Sequence, residues 1–112
     1  MNKLIKTKVF INQVKKLLKK YVNINYDLDN FHSNFEFELF SDLWNWFKKY
    51  RIKNSSIPTW KRWWFRLIIK ELDWYIIPII IYSKTMKENV SIIEIENTFL
   101  EILKELKQWQ IK

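Results

Sequence analysis

The chain of 112 residues contains no cysteine, no glycine and no alanine. Without cysteine it forms no disulfide and carries no thiolate, which excludes cysteine nucleophiles and Cys-based zinc sites. Without glycine it lacks the loops that bring backbone N–H groups against phosphates in P-loop and dinucleotide-binding proteins. Its tight turns must therefore be formed by asparagine, aspartate, serine and proline, the next-best turn residues.

The missing glycine and alanine match a bias in codon composition. Both have GC-rich codons, whereas the abundant lysine, asparagine, isoleucine, phenylalanine and tyrosine have AT-rich ones. Seven tryptophans persist, as expected where UGA also encodes tryptophan, in many mitochondria and some wall-less bacteria. The composition predicts an organelle-encoded mitochondrial protein, with the cytoplasm of an AT-rich bacterium or its phage as the alternative. In-frame UGA codons at the tryptophans would support the first prediction, and seven UGG codons would remove its basis.

The net charge of +8 is divided into blocks. Residues 1–25 carry seven lysines and no acid, whereas residues 26–47 carry five acids and no lysine or arginine. Residues 48–70 carry eight cations, including all three arginines of the chain. Two basic blocks separated by an acidic one indicate a polarised surface that favours an acidic partner. The alternative is a solvated lysine face produced by codon bias alone.

Length and hydropathy limit the class of protein. A chain of this length with 48% hydrophobic residues is predicted to form a single compact domain over residues 1–112. The longest unbroken apolar run, residues 74–82, is far shorter than the roughly 20 residues of a transmembrane helix. We therefore expect no transmembrane segment.

The first two thirds of the chain are predicted to be mainly helical. Residues 8–21 have apolar side chains at helical spacing and lysines on the other face. Residues 22–26 alternate with period two and indicate a short strand. Helices are predicted over residues 41–50 and 59–72, each opened by a side chain that can cap its first turn.

The last third is predicted to contain a β-hairpin and a final helix. Residues 74–82 are β-branched and aromatic, which is typical of a strand. Pro78 within that run indicates an edge strand or a bulge, because proline cannot donate to a ladder. Residues 90–95 are predicted to be the second strand, and a helix follows from residue 97 or 98 to about 108.

These elements predict an α+β fold with about four helices packed on a small antiparallel sheet. The sheet would consist of the β-hairpin 74–95 and a possible short strand at 22–26. The order of elements resembles a winged-helix domain, in which the third helix enters the DNA major groove and the hairpin forms the wing. This resemblance implies that residues 59–72 are the recognition helix and residues 74–95 the wing.

Residues 60–66 interleave aromatic rings with cations. Lysine and arginine neutralise phosphates, exposed rings stack on bases, and arginine can do both. Four bulky rings in six residues cannot all fit one core-facing stripe of a helix, so nucleic-acid or protein contact is favoured over a purely structural role. The predicted binding residues are Lys61, Arg62, Trp63, Trp64, Arg66 and Lys70, extended by Arg51 and by Lys15, Lys16, Lys19 and Lys20 if the two helices lie side by side.

Catalytic patterns are weak. The pairs Glu36-x-Glu38 and Glu94-x-Glu96 would put two carboxylates on one face of a strand, but no third ligand or partnered base follows from the spacing. Outward charges that alternate with inward apolar residues explain both pairs. His32 lies in a predicted acidic loop, where an exposed histidine is expected. We therefore predict no catalytic residue, no cofactor and no metal site, and a protein that is not an enzyme.

The sequence as a whole predicts a non-catalytic basic component of a larger assembly. RNA and the protein subunits of that assembly are the expected partners, and an organellar ribosome is the expected assembly. The alternatives are a winged-helix-like DNA-binding protein, a phage- or mobile-element-encoded inhibitor that binds a host protein, and an accessory subunit of a respiratory complex.

Overall fold

The computed structural model describes residues 3–58, 64–87 and 89–110. Within these ranges there are three α-helices, α1 (Lys8–Leu18), α2 (Ile24–Ser33) and α3 (Ile92–Gln110). The same ranges hold five strands, β1 (Lys3–Leu4), β2 (Phe40–Asp42), β3 (Phe47–Ile52), β4 (Phe65–Leu72) and β5 (Tyr75–Ser83). Single 3-10 turns occur at Phe35–Phe37 and Trp44–Trp46.

The strands form one mixed sheet in the order β1-β5-β4-β3-β2. Strands β2 to β5 are an antiparallel meander, and β1 pairs in parallel with the start of β5. The predicted α+β class is confirmed. The predicted arrangement of four helices on a small antiparallel sheet is wrong, because the described residues contain three helices and a larger, five-stranded mixed sheet.

Both faces of the sheet are covered. Ile76 and Ile81 of β5 belong to the core that α1 and α2 cover, whereas Ile77 and Ile80 belong to the core beneath α3. Because side chains alternate along a strand, a strand buried on both faces is apolar throughout. This burial explains the continuous apolar run of β5.

Two predicted helices are strands in the structure. Residues 65–72 of the predicted helix 59–72 form β4, which pairs with β3 and β5; residues 59–63 lie outside the described residues. The predicted helix 41–50 is replaced by the end of β2, a 3-10 turn and β3, in which Phe47, Tyr50 and Ile52 are buried. A strand that is buried on both faces can also carry apolar side chains at helical spacing, so periodicity alone did not distinguish a helix from a strand here.

Two predicted strands are helical. Residues 24–26 of the expected strand 22–26 begin α2, which also contains His32. The expected strand 90–95 is the start of α3, and so the predicted hairpin 74–95 and the winged-helix arrangement are wrong. The hairpin instead joins β4 and β5, so that Leu72 pairs with Tyr75 across a two-residue turn.

The predicted bulge at Pro78 is confirmed. Ile69 pairs with Pro78 and Ile68 pairs with Ile80, so that Ile79 is an extra residue in β5. Since β1 pairs only with the first two residues of β5, the remainder of β5 is an edge on that side. The Gln13 side chain covers this edge, since its amide nitrogen donates to the Ile79 carbonyl at 2.9 Å and its oxygen accepts from the Ile81 N–H at 3.0 Å.

The lack of glycine is visible in the turns. Three described residues have positive φ, namely Asn45 (53°), Trp46 (67°) and Asp73 (49°). Asparagine and aspartate tolerate this left-handed region, as the composition predicts. A tryptophan there is uncommon, because its Cβ atom crowds the backbone.

Candidate functional site

A row of cations lies on the sheet face that α3 partly covers. It consists of Lys49 and Arg51 on β3 and of Arg66 and Lys70 on β4. Phe47 and Ile68 of the same strands belong to the core beneath α3. Alternation along each strand therefore places all four cations on that face.

Arg51 and Arg66 are direct cross-strand neighbours. Side chains in such a pair have Cβ atoms about 4.5–5.5 Å apart, and like charges at that separation repel each other. Burial lowers the pKa of Arg66 and the Arg51 cation lowers it further, while Tyr82 acts in the opposite direction. Two adjacent guanidinium groups form a site that an anion would stabilise.

No carboxylate neutralises this arginine pair within the described part of the chain. The ion pairs there join Lys6 with Asp29 at 3.9 Å, Lys48 with Glu71 at 2.7 Å, and Lys87 with Glu94. None of them includes Arg51 or Arg66. The pair therefore keeps its positive charge available to a ligand.

Trp64 adds an aromatic ring to the arginine pair. It directly precedes β4 and is half-buried. The guanidinium carbon of Arg51 lies 5.2 Å from the centroid of the Trp64 ring, within the range of a cation–π contact. The structure thus brings together three of the predicted binding residues, Arg51, Trp64 and Arg66.

The two lysines of the row differ in their surroundings. Lys70 donates to the Asn45 carbonyl and lies 4.7 Å from the ring centroid of Phe47 and 5.5 Å from that of Phe99. These contacts give Lys70 a packing role beside any binding role. Lys49 lies two residues before Arg51 in β3 and is half-buried; it was not predicted as a binding residue. The alternation Phe47-x-Lys49-x-Arg51 would have identified it if this segment had been recognised as a strand.

We call Lys49, Arg51, Trp64 and Arg66 the basic sheet end. The predicted extension by Lys15, Lys16, Lys19 and Lys20 is not adjacent to it. Lys15 and Lys16 are exposed on α1, and Lys19 and Lys20 are exposed just after its end. Helix α1 packs against α2, α3 and β5, and β4 lies between β5 and β3. The side-by-side packing of two basic helices does not occur, because residues 65–72 form a strand.

Three predicted binding residues, Lys61, Arg62 and Trp63, lie outside the described residues. Trp64 is the first described residue after that gap.

A cavity of about 310 Å³ lies beside the basic sheet end, where β3 extends past β2. Its walls include Tyr26 and Asn30 of α2 and Glu38, which precedes β2. Arg51 at the end of β3, Lys53 just after it, and Trp64 complete this part of the wall. We call it the β3-end cavity. It shares Arg51 and Trp64 with the basic sheet end, and its other walls include residues of α2.

The carboxylate pairs do not share a strand face. Glu94 and Glu96 lie on α3, and Glu36 lies in a 3-10 turn that ends before Glu38. Among the residues that the structure describes, no three histidine, aspartate or glutamate side chains are grouped to hold a metal ion. In the same residues, no helix is both long and apolar enough to cross a bilayer.

Comparison of the chain with protein-family models, with curated proteins and with solved structures found no match.

Proposed function

We propose that the protein binds single-stranded RNA through the basic sheet end. The observation that carries the proposal is the Arg51–Arg66 pair, two adjacent guanidinium groups without a carboxylate partner in the described residues, beside the ring of Trp64. Arginine forks bind phosphate oxygens in a bidentate manner. An adjacent aromatic ring allows a base of the same strand to stack.

The shape of the site favours a single strand over a duplex. Bases in single-stranded RNA can be splayed out and stacked on side chains, whereas reading the DNA major groove takes a protruding helix or ribbon. Residues 65–72, which were expected to be part of a recognition helix, form β4, the middle strand of the sheet. The cations of the basic sheet end therefore lie on β3 and β4 and not on a protruding helix.

The identity of the larger assembly stays a prediction. The organellar ribosome is the expected one on composition, and the respiratory-complex and host-inhibitor hypotheses remain as alternatives. A partner that binds through phosphates loses affinity steeply with salt, whereas a protein partner held by apolar contacts does not.

The test replaces the arginine pair and a control pair of equal charge. Arg51→Gln/Arg66→Gln removes two cations from the basic sheet end, and Lys104→Gln/Lys107→Gln removes two exposed cations from α3. Binding of a fluorescently labelled ten-nucleotide single-stranded RNA is followed by anisotropy over a range of salt concentrations. We expect the arginine variant to bind at least about tenfold more weakly, and its salt slope to fall by about 1.4, since each phosphate contact in single strands contributes about 0.7.

The control variant should bind within about twofold of the unmodified chain. Equal losses in the two variants would show that net charge alone drives binding. An arginine variant that is folded by circular dichroism and binds normally would place the RNA site elsewhere. Tighter binding of duplex DNA than of RNA would favour the DNA-binding alternative.

A further inference from the structure

The β3-end cavity has the size of a site for one small ring system. Its volume of about 310 Å³ is at the lower end of the range of small-molecule pockets, about 300–1,000 Å³. It opens beside the arginine pair, and Arg51 belongs to both. A group inserted there would stay connected to a phosphate held by Arg51 and Arg66.

We propose that this cavity binds one unstacked nucleobase that carries an exocyclic amino group. The proposal rests on the proposed RNA binding and names the part of the RNA that enters the fold. Adenine, cytosine and guanine have such an amino group, and uracil does not.

Aromatic groups on the cavity wall provide stacking surfaces. Tyr26 of α2 is 68% exposed although it is a large aromatic residue, and Trp64 lines the cavity from the β4 side. Arg51 lies over the Trp64 ring, so this ring and its cation are already arranged before a ligand binds. Stacking of a base on an aromatic side chain contributes about 1–3 kcal/mol in single-strand binding proteins.

The polar groups of the cavity match the edge of an amino-bearing base. Glu38 lines the cavity as a half-buried carboxylate and accepts hydrogen bonds only. Asn30 lines it with an amide that can both donate and accept. The second acid of the wall, Asp27, already accepts the Ser55 N–H at 3.0 Å, so Glu38 is the acceptor that a ligand meets.

Cations beside the cavity can contact the phosphates of the bound RNA. Lys53 lines the cavity and is exposed. Arg51 also lines the cavity, and it is the cross-strand neighbour of Arg66. A base in the cavity would thus have cations on the side where its backbone leaves. A free nucleotide would use the same base contacts with a single phosphate.

The experiment compares ten-nucleotide ligands of equal backbone charge by fluorescence anisotropy. The ligands are oligoadenylate, oligouridylate and a base-free ribose-phosphate decamer, with adenosine monophosphate as a separate competitor. We expect oligoadenylate to bind about tenfold more tightly than oligouridylate, and the base-free decamer to bind most weakly. Competition by the monophosphate at concentrations comparable to the decamer would identify a free nucleotide as the source of the base.

The matched variants each remove one negative charge: Glu38→Gln removes it from the cavity wall, and Glu36→Gln removes it outside the cavity. Glu36 is exposed and is not among the wall residues given for the cavity. We expect Glu38→Gln to reduce the adenylate-over-uridylate ratio about three- to tenfold and Glu36→Gln to leave it unchanged. Equal binding of all three decamers, with a steep salt dependence, would overturn the base cavity and leave the proposed RNA binding intact. Absence of binding to any decamer would overturn both.

Discussion

Gln13 shows how one side chain can complete a sheet. Its amide reaches the open edge of β5 and bonds both the Ile79 carbonyl and the Ile81 N–H. A side-chain amide carries one donor and one acceptor group in the same relation as a backbone peptide, so Gln13 takes the place of a neighbouring strand. An edge that is covered in this way does not pair with another chain.

Replacing Gln13 with alanine should destabilise the fold. The change leaves a partly buried carbonyl and N–H without partners, which costs about 1–3 kcal/mol. The measurement is urea unfolding, followed by circular dichroism. Asn12→Ala is the control, because Asn12 is exposed on the same helix and alanine has the higher helix propensity there. Equal midpoints for the two variants would show that the Gln13 bonds are replaced by water at no cost.

Helix α3 begins earlier than its apolar pattern indicates. Residues 90–95 alternate like a strand, yet the Glu94 N–H donates to the Ser91 hydroxyl oxygen at 3.1 Å and Ile95 N donates to the Ser91 carbonyl at 3.1 Å. A serine followed three residues later by a glutamate is the pattern of a capping box. This local signal identifies the start of α3, and residues 97 and 98, where the helix was expected to begin, lie within it.

Substitutions at Ser91 and Asn97 should have opposite effects on stability. Ser91→Ala removes the acceptor at the helix start and should lower the free energy of unfolding by about 1 kcal/mol. Asn97→Ala should raise it by a few tenths of a kcal/mol, because alanine is favoured over asparagine inside an exposed helix. Thermal or urea unfolding would measure both. A larger loss from Asn97→Ala than from Ser91→Ala would contradict the helix start at Ile92.

At the scale of the whole molecule, buried tyrosines in the sheet make the stability of the fold depend on alkaline pH. Tyr50 is 2% exposed on β3, where its ring contacts Phe31 of α2 and Phe40 of β2. Burial raises the pKa of Tyr50 well above its ordinary value of about 10, and the carboxylates of Glu71, Glu38 and Asp42 raise it further. Burial also raises the pKa of Tyr82. Folding therefore disfavours the phenolate form of Tyr50 and Tyr82, whereas at Tyr21 burial is outweighed by hydrogen bonds with Ser83 and Thr85 and by the Lys20 charge, which lower its pKa.

The contribution of Tyr50 to the free energy of unfolding should therefore decrease above pH 10, so Tyr50→Phe should lose less stability there than the unmodified chain. A group with a raised pKa in the folded state contributes its full stability below the unfolded pKa, and this contribution decreases as the pH rises beyond that value. At pH 11, one unit above the ordinary tyrosine pKa, the Tyr50 contribution decreases by about 1.4 kcal/mol. Urea midpoints at pH 8 and pH 11 test this. Parallel losses in Tyr50→Phe and the unmodified chain would contradict the raised pKa of Tyr50.

The candidate site was predicted in part. The sequence indicated Arg51, Trp64 and Arg66 because cations and rings are interleaved there, and these three are adjacent in the structure. It did not indicate Lys49, because residues 41–50 were expected to be helical, nor the cavity walls at Tyr26 and Glu38, because these two residues come from separate segments. Only the register between β3 and β4 and the position of α2 bring them together.

The sequence by itself determined what depends on composition and on local order. It excluded thiol and glycine-loop chemistry, and it correctly indicated the α+β class, the first helix, the strand around Pro78 and its bulge. Only the tertiary structure decided that residues 65–72 are a strand and that Arg51 faces Arg66. A helix is closed by hydrogen bonds four residues apart, so its signals are local, whereas a strand exists through bonds to distant residues, and its identity is settled when those residues pair.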